Sequence, residues 1–349
     1  MNKLKTIDRS VRRNFLTYAI VIVAYVLLQL LSSARGFSPT LRGQLVPICA
    51  YVVMALSLNL TVGILGELSL GHAGFMSVGA FSGAIAASAL QAAVPSPGAR
   101  LAIAMLIGAI FAGIVGTIIS VPVLRLNGDY LAIVTLAFGQ IIKSLIENLY
   151  VGVDDAGLHF SFLKPSISLA QGGRMILNGP MGIPNITKIS TFLAGFILIL
   201  ITLIIIFNLV RSRAGRAIMA LRDNRIAAES VGINVTKYKM MAFVTSAALA
   251  GAAGALFALG QNTIVAAKFD FNTSILILVF VVLGGLGNML GSIIAAAALT
   301  ILPEALRGFA DYRMLIYAIV LILVMLGTNS PQLKAMLQKL LPGKKREEV

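Results

Sequence analysis

The sequence predicts an all-α integral membrane protein, a polytopic helix bundle of about ten spans. Hydrophobic residues make up 58% of the 349 residues and charged residues only 12%, with a mean hydropathy of +0.94. Soluble domains carry about 25% charged residues, so little of this chain is predicted to face water. Two long apolar stretches, residues 43–99 interrupted only by Glu67 and His72 and the uncharged residues 271–303, each contain a cluster of glycines, which predicts two glycine-rich helix breaks.

Ten apolar segments are candidate membrane helices, because one crossing needs about 20 apolar residues. The first follows a basic stretch, residues 1–13, and is predicted to be an uncleaved span rather than a signal peptide. The predicted spans are 15–33, 44–62, 72–93, 101–121, 130–148, 190–210, 240–260, 272–286, 289–303 and 313–327.

The basic residues predict the orientation of these spans. If the segments that connect the ten spans lie alternately on the two sides of the membrane, 18 Lys and Arg residues fall on one side and nine on the other. Lys143 lies inside a span. Since Lys and Arg collect on the cytoplasmic side, both termini are predicted to be cytoplasmic. The largest segment on the other side, 149–188, holds six glycines and three prolines, and we expect an extracytoplasmic loop with at most short helices.

A basic segment, residues 211–239, joins two uncharged apolar runs and is predicted to lie in the cytoplasm. Within it Asp223 or Asn224 can cap a short helix, and Gly232 is placed to end that helix at C′. A short capped helix on this face suggests a docking element for a soluble partner. Alternatively, its Glu229 only pairs with Arg225 four residues earlier.

The two helix breaks are candidate parts of a translocation pathway. Irregular backbone is tolerated at membrane depth only where protein or a water-filled cavity surrounds it, and paired interruptions point to an internal pseudo-repeat. The alternative is two short loops between close-packed helices, with Glu67 hydrated at the interface and Asn59 bonding between helices. The candidate pathway residues are Asn59, Gly63, Gly66, Glu67, Ser69, Gly71, His72, Gly74, Gly284, Gly285, Gly287 and Asn288.

Several kinds of site are excluded by residue counts. The single cysteine, Cys49, cannot form an internal disulfide, and two isolated histidines are too few for an ordinary metal site. We find no paired catalytic carboxylates and no nucleophile–base set, so no catalytic residue is predicted. The phosphate-binding pattern Gly-x4-Gly-Lys-Ser/Thr is absent from the sequence, so any ATP hydrolysis would belong to a separate chain.

Four stretches, in the same order, resemble the branched-chain amino-acid ABC transporter permeases, the LivM-type more than its LivH-type sister. They are residues 55–60 with 66–75, residues 128–139, residues 215–217 with 227–234, and residues 283–288. Residues 178–183 match more loosely, because Met181 stands where a smaller polar residue is expected.

The resemblance implies a multi-pass half-transporter in the bacterial inner membrane that binds no cofactor itself. Its implied partners are a LivH-type permease, two cytoplasmic ATPase subunits that hold ATP, and an extracytoplasmic substrate-binding protein. The capped helix would then be the coupling helix, with contacts expected from Asn224, Ala227, Ala228, Glu229 and Gly232.

The implied substrates are leucine, isoleucine and valine, or hydrophobic amino acids more widely. A related permease for urea or a sugar is an alternative, since no residue here discriminates these substrates. An ion- or proton-coupled secondary transporter is a further alternative, but that class usually shows paired ionisable residues within its spans. This chain offers only Glu67 with His72 and Lys143 with Glu147.

Overall fold

The computed structural model describes residues 2–33, 39–91, 93–124, 126, 128–154, 157–162, 173–306, 315, 316, 318, 319 and 322. Contacts divide the chain into two compact units, Met1–Ala297 and Ala298–Val349. The first unit contains both helix breaks and the segment 211–239. In the second, the described residues are mostly the end of one helix and a few helical positions beyond it.

The described part of the chain is mostly helical. Its α-helices are α1 (Asn2–Ser33), α2 (Pro39–Asn59), α3 (His72–Ala89), α4 (Pro97–Val123), α5 (Asp129–Glu147), α6 (Phe192–Arg211), α7 (Arg213–Asp223), α8 (Arg225–Ser230), α9 (Val235–Ala258), α10 (Phe271–Gly284) and α11 (Met289–Ala305). A π-helix, Leu60–Leu65, extends α2 by one wide turn.

The polytopic membrane fold is confirmed, while the count of ten spans stays a prediction. Helices occupy the first nine predicted spans, and the tenth, 313–327, lies largely outside the described residues. Among the described residues, six helices are long and apolar enough, by length and composition, to cross a membrane: Thr40–Leu65, Pro97–Val123, Asp129–Glu147, Phe192–Arg211, Val235–Ala258 and Ala266–Gly284.

Helix α9 lies at the centre of the first unit and packs against α2, α3 and α4. Small residues allow this close approach: a Cβ on Gly79 of α3 would lie 2.0 Å from the carbonyl oxygen of Gly251 on α9. Gly108 of α4 meets the same point, with its carbonyl oxygen 2.4 Å from a Cβ built on Gly251. The tight packing of small residues that membrane helices use therefore joins α3, α4 and α9 into one seam.

Helices α4 and α6 lie at the periphery, because only a third of the residues in the most apolar stretch of each helix are buried. On α4, Ile110, Ile114 and Ile118 are spaced four residues apart and are each more than half exposed. Residues four apart share one face of a helix, so this face is suited to contact lipid tails.

The segment 149–188 contains a small antiparallel sheet, so the prediction of a loop with at most short helices is wrong. The strands are β1 (Leu149–Asp154), β2 (Gly157–Phe162) and β3 (Arg174–Asn178), in the order β2-β1-β3. Val151 pairs with Phe160 on one side and Leu177 on the other. Except for Gly152 inside β1, the glycines and prolines that favoured a loop lie between, and at the ends of, short β-branched and aromatic runs, so the all-α prediction fails here.

The segment 211–239 is more helical than predicted. Ser212 caps α7 by accepting a hydrogen bond from the backbone N–H of Gly215 (3.1 Å), and α7 precedes the expected short helix α8. Helix α9 already begins at Val235, so Lys237 and Lys239 belong to a helix rather than to a loop.

Candidate functional site

The first helix break is confirmed at the predicted position. The π-helix ends at Gly66, whose φ of +82° is a left-handed conformation that glycine adopts without strain. Residues 66–71 are not helical, and α3 begins at His72. One-turn π-helices occur frequently at functional sites, because they shift backbone groups out of the regular ladder.

The second break is confirmed as well. Helix α10 ends at Gly284 and α11 begins at Met289, with left-handed φ angles of +90° at Gly285 and +77° at Gly287. Exposed Asn288 accepts a long hydrogen bond from the backbone N–H of Gly291 (3.3 Å). Each break is thus a short connection between consecutive helices. This is the form expected from the alternative interpretation, two short loops between close-packed helices.

The two breaks meet through the buried side chain of Asn59. Its Oδ1 accepts from the backbone N–H of Gly287 at 2.8 Å, and its Nδ2 donates to Oγ of Ser292 on α11 at 2.9 Å. Gly63 lies against the same turn, since a Cβ there would be 2.2 Å from the Gly287 nitrogen. The predicted bond of Asn59 between helices is confirmed, and it joins the two breaks.

Glu67 forms an ion pair with Lys239 at the first break. The Lys239 side chain is 4% exposed and that of Glu67 is 14% exposed, so both charges are largely removed from water. The interpretation of Glu67 as a simply hydrated residue is therefore wrong. Sequence reasoning missed its partner, although Lys239 directly precedes a long uncharged run and Glu67 is the one carboxylate in the first break.

Arg222 attaches the segment 211–239 to the first break. Its Nη1 donates to the carbonyl oxygen of Gly63 at 3.1 Å, and its Cγ lies 2.6 Å from where a Cβ on Gly66 would be. The same guanidinium also binds Oδ1 of Asp223, through Nε at 3.1 Å and Nη2 at 3.0 Å. Sequence reasoning counted Arg222 only as one of several basic residues, and no local pattern distinguishes it.

His72 and Glu67 are not brought together. His72 is buried, with its Nε2 2.7 Å from Oγ of Ser57 on α2. Gly71 lies against α5, where a Cβ would come within 2.1 Å of the Thr135 carbonyl oxygen, and Gly74 packs on Gly139 of the same helix. Ser69 is buried, and its hydroxyl has no hydrogen-bond partner among the described residues. His72, Gly71 and Gly74 thus contact the helices next to α3, namely α2 and α5.

Both predicted caps of α8 are confirmed. Oδ1 of Asn224 accepts from the backbone N–H of Ala227 at 3.1 Å. Gly232 has a φ of +84°; its N–H donates to the carbonyl of Glu229 (3.0 Å), and the N–H of Ile233 donates to that of Ala228 (3.1 Å). This pair of bonds is the Schellman motif, so α8 has a fixed end.

The two alanines of α8 have different environments. Ala228 is buried against Leu221 of α7 and Val235 of α9, so its expected role in contacting a partner is corrected: it attaches α8 to its own chain. Ala227 is exposed, and so is Glu229, which pairs with Arg225 at 3.5 Å. Ile226 and Val231 are the large exposed apolar residues, at 80% and 76%.

The sequence of the chain matches a known family of proteins. The family model for the branched-chain amino acid transport system / permease component matches residues 41–325. The chain is 35% identical to the high-affinity branched-chain amino acid transport system permease protein LivM of Salmonella typhimurium, over 81% of this chain and 69% of that protein. The LivM protein of Escherichia coli is 34% identical over the same shares.

A more distant likeness extends to a second type of permease. The probable branched-chain amino acid transport permease protein LivH of Methanocaldococcus jannaschii is 27% identical, over 86% of this chain and 93% of that protein. No solved structure matches the chain significantly.

Proposed function

The chain belongs to the family of branched-chain amino acid transport permease components, and we propose that it is a transmembrane subunit of an ABC importer for branched-chain amino acids. The likeness to two LivM proteins over 81% of the chain supports this substrate class ahead of urea or a sugar. A secondary transporter is less well supported, since among the described residues the first break holds a single ion pair, Glu67 with Lys239.

One observation carries the proposed mechanism: an exposed capped helix is connected to the helix breaks. Helix α8 packs on α7 through Ala228 and Leu221, and α7 places Arg222 on the carbonyl of Gly63. A partner that moves α8 would therefore also act on the first break, and through Asn59 on the second. This arrangement suits a coupling helix that drives alternating access between two states.

The proposal includes partners that complete the transporter. A LivH-type permease would form the other half of the pathway, two cytoplasmic ATPases would bind ATP, and an extracytoplasmic protein would deliver the amino acid. This chain would be a transport subunit of a bacterial inner membrane, with no hydrolytic activity of its own. Both termini and the segment 211–239 would be cytoplasmic, in line with the excess of Lys and Arg on that side.

Co-purification tests the assembly. The chain is extracted from native membranes in mild detergent and every associated chain is identified. A second permease with one or two ATPases that carry a phosphate-binding loop is the expected result. A homo-oligomer alone would contradict the proposal and favour a secondary transporter.

Replacing Gly232 with valine tests the coupling helix. A β-branched residue is strained at a φ of +84°, so Gly232→Val should disturb the end of α8 although no atom lies within 4 Å of the new Cβ. We expect membrane insertion and ATP hydrolysis to continue while leucine uptake falls at least tenfold in proteoliposomes. Gly43→Val, at an exposed and open position of α2, is the matched control. Normal uptake by Gly232→Val would disprove the assignment.

A further inference from the structure

A cavity of about 310 Å³ opens at the end of the first unit remote from the segment 211–239. One of its walls is Leu259, which follows the last residue of α9, whereas Lys239 lies near the start of that helix. About 20 helical residues separate the two, a distance on the order of 30 Å. In the proposed orientation the cavity therefore lies on the extracytoplasmic side.

Two arginines give the cavity a positive charge. Arg100, from the first turn of α4, is 7% exposed, and its Nε has no hydrogen-bond partner among the described residues. Arg174, from β3, uses Nη2 to donate to the carbonyl of Ser88 (2.9 Å) and to Oε1 of Gln91 (3.2 Å), which are both neutral acceptors. No Asp or Glu is among the described residues that line the cavity.

An unbalanced buried guanidinium calls for an anion. Burying a charge is costly unless it is paired and hydrogen-bonded, and within the described chain the Nε of Arg100 has no hydrogen-bond partner and the cavity lining offers no carboxylate. The planar fork of arginine matches a carboxylate with two parallel hydrogen bonds. The charge and the free Nε of Arg100 therefore point to a carboxylate ligand.

Nearly buried aliphatic residues form a smaller apolar part of the cavity lining and are held in place. Ile183, Ile186 and Ile189 line the cavity beside Leu259. Backbone hydrogen bonds fix this part of the lining to the chain that follows α9: the N–H of Ile183 donates to the carbonyl of Ile264 at 2.9 Å, and that of Ile189 to Leu259 at 3.1 Å. A preformed cavity with two arginines, a mostly polar surface and a smaller apolar part fits a small molecule with one carboxylate and one short aliphatic side chain.

We propose that this cavity is an outer binding site for the transported amino acid, with Arg100 and Arg174 holding its carboxylate. The choice of an aliphatic amino acid rests on the proposed function. The smaller apolar part of the lining accepts the side chain, and Asn185 and Thr187, which also line the cavity, offer oxygen acceptors for the ammonium group. A substrate released outside the membrane would bind here before it enters the pathway.

Equilibrium binding tests the site without the extracytoplasmic protein. The full chain, purified in lipid nanodiscs with its associated permease and ATPase chains only, is titrated with radiolabelled leucine. Unlabelled 4-methylpentanoate, which keeps the carboxylate, should compete, whereas 3-methylbutylamine, which keeps the ammonium group, should compete at least tenfold less well. Arg100→Gln and Arg174→Gln should each weaken leucine binding at least tenfold. Lys188→Gln removes an exposed cation outside the cavity lining and should leave binding unchanged.

The variants also separate the alternatives. Arg174 is exposed, so Arg174→Gln keeps the test valid even if Arg100→Gln fails to fold. Leucine binding that is absent in the wild type, or unchanged in both variants, would overturn the site. So would weaker association of the extracytoplasmic protein with unchanged leucine affinity, because the arginines would then hold that protein.

Uptake in cells distinguishes failure of the site from failure of the proposed function. Full leucine uptake in cells that lack this chain would contradict the proposed function and the site together. Uptake that depends on the chain but is insensitive to both arginine variants at low leucine concentration would contradict only the site.

Discussion

At the residue scale, the ion pair of Lys239 and Glu67 holds two charges largely out of water. Removing one partner of a buried pair leaves an uncompensated charge, while replacing both is often close to neutral. Lys239→Met should therefore lower the free energy of unfolding by about 3 kcal/mol, the low end for buried pairs because Glu67 keeps 14% exposure. Thermal unfolding in detergent measures this loss.

Two companion variants sharpen that prediction. Adding Glu67→Gln to Lys239→Met should restore most of the lost stability, since no charge remains unpaired. Lys237→Met changes an exposed lysine two residues away on α9 and should alter the unfolding temperature little. Equal stability of Lys239→Met and the wild type would show that the pair does not form.

Single residues also show where sequence reasoning reaches its limit. Asn59 could be predicted to bond between helices, because a lone amide in an apolar run needs partners wherever it is buried. Arg222 and Lys239 could not be assigned, because their acceptors, Gly63 and Glu67, lie more than 150 residues away in the sequence. Without a structure, nothing distinguishes them from the neighbouring basic residues.

At the scale of the element, α8 and the residue that ends it offer two exposed apolar side chains for a partner. Ile226 of α8 and Val231, which follows its last residue, are exposed at 80% and 76%, and both ends of the helix are fixed. Burying one such side chain contributes about 1.5–3 kcal/mol, so the double variant Ile226→Ser/Val231→Ser, which removes two of them, should weaken binding of the ATPase subunits by about a hundredfold or more. Surface plasmon resonance with the purified partner measures this change. The control Ile226→Leu/Val231→Ile, which keeps both side chains apolar, should bind normally. If the serine variant bound the ATPase subunits as tightly as the wild type does, these two side chains would have no role in binding.

The small-residue seam gives a second prediction for the helices. A methyl group on Gly79 would lie 2.0 Å from the Gly251 carbonyl oxygen, so Gly79→Ala forces α3 and α9 apart and should cost about 2 kcal/mol of stability. Gly113→Ala on α4 meets its first neighbour, the Cβ of Ala248, at 3.6 Å and should be neutral or stabilising by about 0.5 kcal/mol. Thermal unfolding of the two variants compares them directly, and equal effects would contradict the close contact.

Elements were predictable where their signals are local. The caps of α8 depend on Asn224 and Gly232 acting on backbone groups a few residues away, and both were identified from the sequence. The strands β1 and β3 depend on pairing across a long connection, so the glycines and prolines between them concealed the sheet. Helix α7 was not predicted because Gly215 and three arginines lie among its eleven residues, although its apolar residues Ala217, Ile218 and Leu221 share one buried face.

At the scale of the whole molecule, the proposed orientation can be tested by labelling. Cys49 is the single cysteine in the sequence, so Cys49→Ala provides a background for new ones. Lys188→Cys and Ser230→Cys place exposed thiols near the outer cavity and on α8. A membrane-impermeant maleimide should label Lys188→Cys in intact cells and Ser230→Cys only after permeabilisation. The reverse pattern would invert the orientation.

The contact of Gly79, Gly108 and Gly251 has a mechanical consequence for the proposed transport cycle. Backbones that touch have no compressible layer of side chains between them, so α3, α4 and α9 cannot slide past one another without first separating. They should travel as one stiff block, with Lys239 near one end of α9 and Leu259 just past the other. Tilting such a block about its middle displaces its two ends at once and in opposite directions. A displacement of the cytoplasmic end would therefore move the residues at the outer cavity directly, without successive rearrangements of side chains between the two.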